Sequence, residues 1–152
     1  MRDVSANDVE ATMLLCDYAE AVNGKLYIVG GGWSLLAKVR PRFKMALAVK
    51  LLVPWSRTNE RIHFEASRVT DQGDEVVQES DEGERPVQAA GDLELGRPPG
   101  LKPGTALDAA FVLNFEGLDL DLGGYVWQLQ VGNAMAARIP FQVVHPAPGI
   151  TR

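Results

Sequence analysis

The chain of 152 residues holds a single cysteine, Cys16, and only two histidines, His63 and His145. One thiol excludes an intrachain disulfide, and three scattered soft ligands exclude the short-spaced Cys/His set of a zinc site. A reducing, cytoplasmic setting is expected, and residues 1–8 lack the apolar centre of a signal peptide. Long greasy runs are missing too. The most apolar stretch, residues 45–53, is broken by Lys50 and has about half the length that a membrane crossing needs. Positive charge is in deficit, with a formal net charge of -5, which opposes binding to phosphate backbones. Neither nucleic acid nor membrane is an expected partner.

What the chain does have is apolar content and alternation. With 46% hydrophobic and 23% charged residues it can offset the entropy of ordering. A chain this long buries roughly 68 to 70% of its unfolded surface in one core. One domain over 1–152 is expected, with frayed ends near 1–9 and 146–152.

The clearest pattern lies near the end. Tyr125, Trp127, Leu129 and Val131 alternate with Val126, Gln128 and Gln130, and Met135, Ala137, Ile139, Phe141 and Val143 repeat the period after Gly132, Asn133 and Ala134. Matching the apolar faces selects a three-residue loop, with Val131 by Met135, Leu129 by Ala137, Trp127 by Ile139 and Tyr125 by Phe141. Asn23 and Gly24 mark a second hairpin, since they tolerate the positive φ angles of a two-residue turn; Ala21 then faces Leu26 and Ala19 faces Ile28. Gly30, Gly31 and Gly32 read as a bend or bulge before Trp33. Residues 45–53 favour helix by composition but read as a strand, being short and ended by Pro54. Residues 61–70 alternate up to a turn at Asp71, Gln72 and Gly73, a strand follows around Val76, and residues 79–85 read as a mobile acidic loop. Strands over 87–95 and 106–115 flank a stiff Pro/Gly stretch, 96–104, that crosses between sheets. The sum is an all-β fold, an antiparallel β-sandwich of about nine strands with no long helix.

Several segments together carry a resemblance: Leu15, Cys16, Asp17, Tyr18 and Ala19; Asn23 to Tyr27; Gly30 to Trp33; Val53, Pro54 and Trp55; Gly96, Arg97, Pro98 and Pro99; Gly124 and Tyr125; Pro140 and Phe141. In this order they resemble a family of small uncharacterised bacterial proteins, a domain of unknown function, over nearly the whole chain. The resemblance implies no activity and no catalytic residue. The final hairpin is also similar to that of immunoglobulin-like and fibronectin-type sandwiches, which implies a tyrosine corner at Tyr125.

No catalytic, cofactor-binding or metal-binding residue is assigned. His63 falls on the polar face of its strand, and Cys16 has an anion, Asp17, where an activated thiolate needs a cation or a base. The three glycines lack the Gly-Lys-Ser/Thr ending of a phosphate loop. Asp119 with Asp121, and Asp81 with Glu82 and Glu84, are local turns short of a calcium ligand set.

Two surface signals remain. Lys38, Arg40, Arg42 and Lys44 put four cations on one side of an extended segment, which Pro41 marks as an edge strand or loop; they can meet an acidic partner or guard the edge. Trp55, beside Ser56, Arg57, Thr58 and Asn59, can anchor a partner or fold back over the core. The expected function is a non-enzymatic protein-interaction or assembly module, acting by self-association or by docking to another protein. The alternative is a small-ligand or carbohydrate-binding β-sandwich using Trp33, Trp55 or Tyr27. An enzyme built from His63, Asp17 and Cys16 is the weakest reading.

Overall fold

Asn23 and Gly24 hold φ angles of 51° and 72°, the left-handed pair that a two-residue hairpin turn requires. They join β1 (Glu10–Val22) to β2 (Lys25–Gly31) in the expected register, with Ala21 opposite Leu26 and Ala19 opposite Ile28. The structure is a computed structural model that describes residues 9–80 and 83–147. The ends expected to fray lie outside the described residues except at Val9, Pro146 and Ala147.

The remaining strands are β3 (Leu35–Ala37), β4 (Arg42–Val53), β5 (Ile62–Thr70), β6 (Val77–Ser80), β7 (Gly83–Pro86), β8 (Gln88–Leu93), β9 (Leu107–Asp119), β10 (Gly123–Val131) and β11 (Ala134–Val144). They form a four-stranded sheet in the order β2-β1-β4-β9, a five-stranded sheet in the order β3-β11-β10-β5-β8, and the separate hairpin β6-β7. The fold is all-β. Among the described residues the one helical element is a 3-10 turn over Trp55–Arg57, and no helix is long and apolar enough to cross a membrane.

Among the described residues eleven strands stand where about nine were expected, because short pieces pair where tertiary contacts hold them. The acidic stretch 79–85, expected as a mobile loop, contributes to β6 and β7, which pair from Val77 with Pro86 onward; Asp81 and Glu82 lie outside the described residues. Gln78 ties this hairpin to β9, its amide donating to the Gly117 carbonyl at 2.8 Å and its oxygen accepting from the Asp119 N–H at 3.2 Å. Residues 94–106 connect β8 in one sheet to β9 in the other, the crossing expected of the Pro/Gly stretch.

The run 45–53 is a strand whose two faces are both covered. Met45, Leu47, Val49, Leu51 and Val53 enter the main core, while Ala46 and Ala48 on the opposite face join a smaller cluster with Cys16 and Ala19. Burial on both sides explains a continuous apolar run without alternation. Each fully buried large apolar side chain contributes about 1.5–3 kcal/mol relative to an exposed one. Residues from both sheets meet in that core: Phe115 of β9 lies against Trp127 of β10 with ring centroids 4.4 Å apart, and Phe111 of β9 stacks on Phe64 of β5, also at 4.4 Å. The basic stripe is divided between a connection and a strand: Lys38 and Arg40 precede β4, while Arg42 and Lys44 lie in its first residues, which pair with β9 on one side but lie outside the β1 pairing, which covers residues 46–52.

The last hairpin keeps the expected partners Leu129 with Ala137, Trp127 with Ile139 and Tyr125 with Phe141, but its loop is shorter than expected. Val131 pairs with Ala134, so the turn is Gly132 and Asn133, with Gly132 at φ 59° as a glycine-led two-residue turn demands. A bulge between Leu129 and Gln130 absorbs the difference and restores the face match. The Tyr125 hydroxyl donates to the Asp121 carbonyl at 3.0 Å, as the resemblance implied.

Candidate functional site

The side-chain phase of β1 reverses midway. Met13 and Leu15 enter the main core, yet Cys16 and Ala19, of opposite parity, both join the cluster on the far side of the four-stranded sheet with Ala46, Ala48, Leu26 and Val112. The reversal coincides with Gly30, which has φ 60° and whose missing Cβ would stand 2.3 Å from the Asp17 carboxylate. Only glycine fits both demands. Beyond this kink β1 leaves β4, since their pairing ends at Cys16 with Ala46, and the β1–β2 hairpin bends over the outer face of its own sheet until it touches β9. Alanines at 46 and 48 permit the close approach that larger side chains would block.

The arm exposes an apolar surface. Tyr27 is 55% and Val29 61% accessible, and Leu14, Tyr18, Val22 and Ile28 are also exposed. Leu14 lies just before the kink, and the other five, of the ten large hydrophobic residues exposed among the described residues, lie on the arm itself. β2 is also the end strand of its sheet. With Val22 and Lys25 flanking the two-residue turn, hydrogen-bonded pairs alternate from that point, so Tyr27 and Val29 bond toward β1. Leu26 and Ile28 therefore turn their N–H and C=O groups to the open flank. The sequence signal was the unbroken run Leu26, Tyr27, Ile28, Val29, which a half-buried strand does not need.

Under the arm runs a cleft of about 580 Å³ between residues 18–22 of β1 and Ala110, Phe111, Val112 and Asn114 of β9. A second hollow of about 210 Å³ shares Tyr18 and Asn114 with it and adds Asp17, Lys44 and Glu116. The Tyr18 hydroxyl donates to the Glu20 carboxylate, a bond that raises the Tyr18 pKa above its ordinary value.

The residues singled out from the sequence are dispersed. Lys38 lies between β3 and β4 with its ammonium 3.8 Å from Asp121, Arg42 is 3.5 Å from Asp119 at the start of β4, and Arg40 is exposed between them. These ion pairs are largely solvated and contribute little to stability. Of the four, Lys44 lines the second, smaller hollow. Trp55 does not cap the core; it lies under the Arg97 guanidinium at 4.0 Å, and Arg97 also donates to the Trp55 carbonyl at 2.8 Å and to the Thr58 hydroxyl at 2.6 Å. Arg97 thereby pins the Pro/Gly crossing to the 3-10 turn. Trp33 packs edge-on against Phe141, 6.2 Å between centroids, so Trp33, Trp55 and Tyr27 form no common site.

His63 and Cys16 are likewise separate. His63 projects from β5 in the five-stranded sheet, 3.0 Å from Asp92. Cys16 is buried in the four-stranded sheet, its thiol donates to the Ala46 carbonyl at 3.4 Å, and burial first and then Asp17 push its pKa up, away from the reactive thiolate. No three His, Cys, Asp or Glu side chains among the described residues converge as a metal ion would require.

No curated protein matches the chain. Residues 11–144, from the first strand to the last, match the profile of a family of unknown function. The kinked hairpin, the two sheets and the Arg97 clamp all fall within that match, and the chain therefore belongs to the DUF6941 family.

Proposed function

We propose that this protein is a non-enzymatic association module whose contact element is the open flank of β2. The observation that carries the reading is the exposure of Tyr27, Ile28 and Val29 on an end strand whose Leu26 and Ile28 backbone groups point outward. Such a flank accepts an added strand: backbone hydrogen bonds supply affinity, and alternate side chains supply selectivity. The other end strands offer less. β3 has three residues, β8 carries Asp92, and no large side chain of β9 is among the exposed hydrophobics.

We read the overall architecture as an immunoglobulin-like β-sandwich. Three features support this: the tyrosine-corner bond of Tyr125, the parallel pairing of β3 with β11, and a shared core between two antiparallel sheets. Trp127 stands two residues after Tyr125, where antibody domains carry a cysteine. The fold does not assign the function; the association reading rests on the open flank of β2.

Ile28→Pro tests the reading. It removes the outward N–H at the middle of the flank and leaves the bonds between β1 and β2 in place. Light scattering and pull-down from a native lysate should show association by the wild-type chain that the variant weakens at least about tenfold, equal to 1.4 kcal/mol. A wild-type chain that neither self-associates nor retains a partner, or a variant that binds as tightly, overturns it.

The cleft under the arm supports a second reading, a small-ligand site, because 580 Å³ lies within the range of ligand pockets and Tyr18 and Val112 line it with an aromatic and an aliphatic side chain. A ligand at one hundred times its dissociation constant adds about 2.7 kcal/mol of stability. Thermal-shift screening with sugars and metabolites should then reveal a stabilising compound whose effect disappears in Val112→Arg. A flat response across a broad panel rejects this reading.

A further inference from the structure

We infer that β2 pairs with β2 of a second copy of this chain, antiparallel about a twofold axis at Tyr27. The inference rests on the association reading above and names its partner.

The flat part of the strand runs from Lys25 to Val29, because Gly30 kinks the backbone at φ 60°. The centre of that five-residue stretch is Tyr27. An antiparallel pairing about Tyr27 sets Leu26 opposite Ile28 of the second copy, and these are the residues whose N–H and C=O groups face the open flank. About four backbone hydrogen bonds close, and every outward group of the flat stretch finds a partner. Tyr27 then faces its own copy in a non-hydrogen-bonded pair, the closer of the two pair types, where aromatic side chains interact best. Val29 lies opposite Lys25, so apolar surface meets the lysine stem.

Charge selects the direction. A parallel, in-register pairing would place the two Lys25 side chains about 4.8 Å apart. The antiparallel arrangement separates them by four residues, about 13 Å, beyond a Debye length of about 8 Å at physiological salt. The kink at Gly30 and the turn at Asn23 and Gly24 bound the flank on both sides, so the contact is isologous and consumes the flank in a closed pair rather than a growing ribbon. An added peptide of another protein would satisfy the same backbone groups but not the self-match at Tyr27.

Cysteine cross-linking reads the axis directly, since buried Cys16 is the chain's one native thiol. Tyr27→Cys places two thiols on residues with Cα atoms about 4.5 Å apart, within disulfide reach, whereas Lys25→Cys places them beyond the roughly 7 Å limit. Both sites are exposed, so both variants keep the fold. Under mild oxidation Tyr27→Cys should run as a covalent dimer on a non-reducing gel and Lys25→Cys should stay single. Light scattering of the wild-type chain should give twice the 16.5 kDa of one copy. Equal cross-linking at both positions, or none at residue 27, overturns the inference. A wild-type chain that stays single yet retains a partner that Ile28→Pro loses also overturns it, while leaving the association reading intact.

Discussion

Replacing Trp127 by alanine lowers the unfolding free energy by about 3–5 kcal/mol, the range for truncating a buried aromatic. Trp127 is 0% accessible, packs on Phe115 across the two sheets, and sits beside Arg68 of β5 in the strand register. Truncation removes the contact that holds β9 against β10, and the flanking strands are hydrogen-bonded too firmly to collapse into the void. Against a total of about 5–15 kcal/mol for a domain, such a loss brings a measurable unfolded population. Urea titration followed by circular dichroism should show a lower midpoint at unchanged slope. Trp127→Phe should lose clearly less, since it keeps a ring against Phe115 and deletes an indole N–H that has no hydrogen-bond partner. A loss below about 1 kcal/mol for the alanine variant would show that the two sheets do not pack at this point.

Arg68→Met moves stability the other way. Arg68 is 1% accessible on the inner side of β5, continuing the line of Ile62, Phe64 and Ala66, and none of its three guanidinium nitrogens has a hydrogen-bond partner. Its nearest compensation is the face of Tyr125, 5.3 Å from ring centroid to guanidinium carbon. Burial depresses the pKa of the group, and the fields of Tyr125 and Asp119 offset this only in part. Even paired buried charges are often replaced by apolar residues of similar volume with a gain of about 1–4 kcal/mol, and an unpaired one carries a larger desolvation penalty. Methionine matches the length and flexibility of the arginine stem, so a rise of about 1–4 kcal/mol is expected. Arg68→Ala should gain less, because it leaves a cavity. If Arg68→Met instead destabilises by more than about 1 kcal/mol, the guanidinium meets an acceptor that compensates its charge.

Local chemistry was legible wherever a turn or an alternation carried it. Asn23 and Gly24 set both the turn and the register of the first hairpin because few other residues accept two successive positive φ angles. The face match of Trp127 with Ile139 and Tyr125 with Phe141 followed from period alone. The two-residue loop and its bulge did not, because an extra residue absorbed inside a strand leaves no mark on the average period. The basic stripe was legible only in part for a related reason: Pro41 marked the end of a connection and Arg42 and Lys44 do begin β4 outside its β1 pairing, but that β4 becomes an inner strand from Ala46 onward is a non-local property of strand order.

The amino-acid order alone was sufficient for the all-β class, the two principal hairpins and the crossing at 96–104, since each depends on residues near one another in the chain. The candidate surface depended on tertiary structure. The kink at Gly30 against Asp17, the approach of the arm to Ala46, Ala48 and Val112, and the exposure of Tyr27 and Val29 all come from segments separated in sequence. An apolar run such as Leu26 to Val29 has the same composition whether a sheet buries it or leaves its flank open, and only the positions of β1, β4 and β9 decided which.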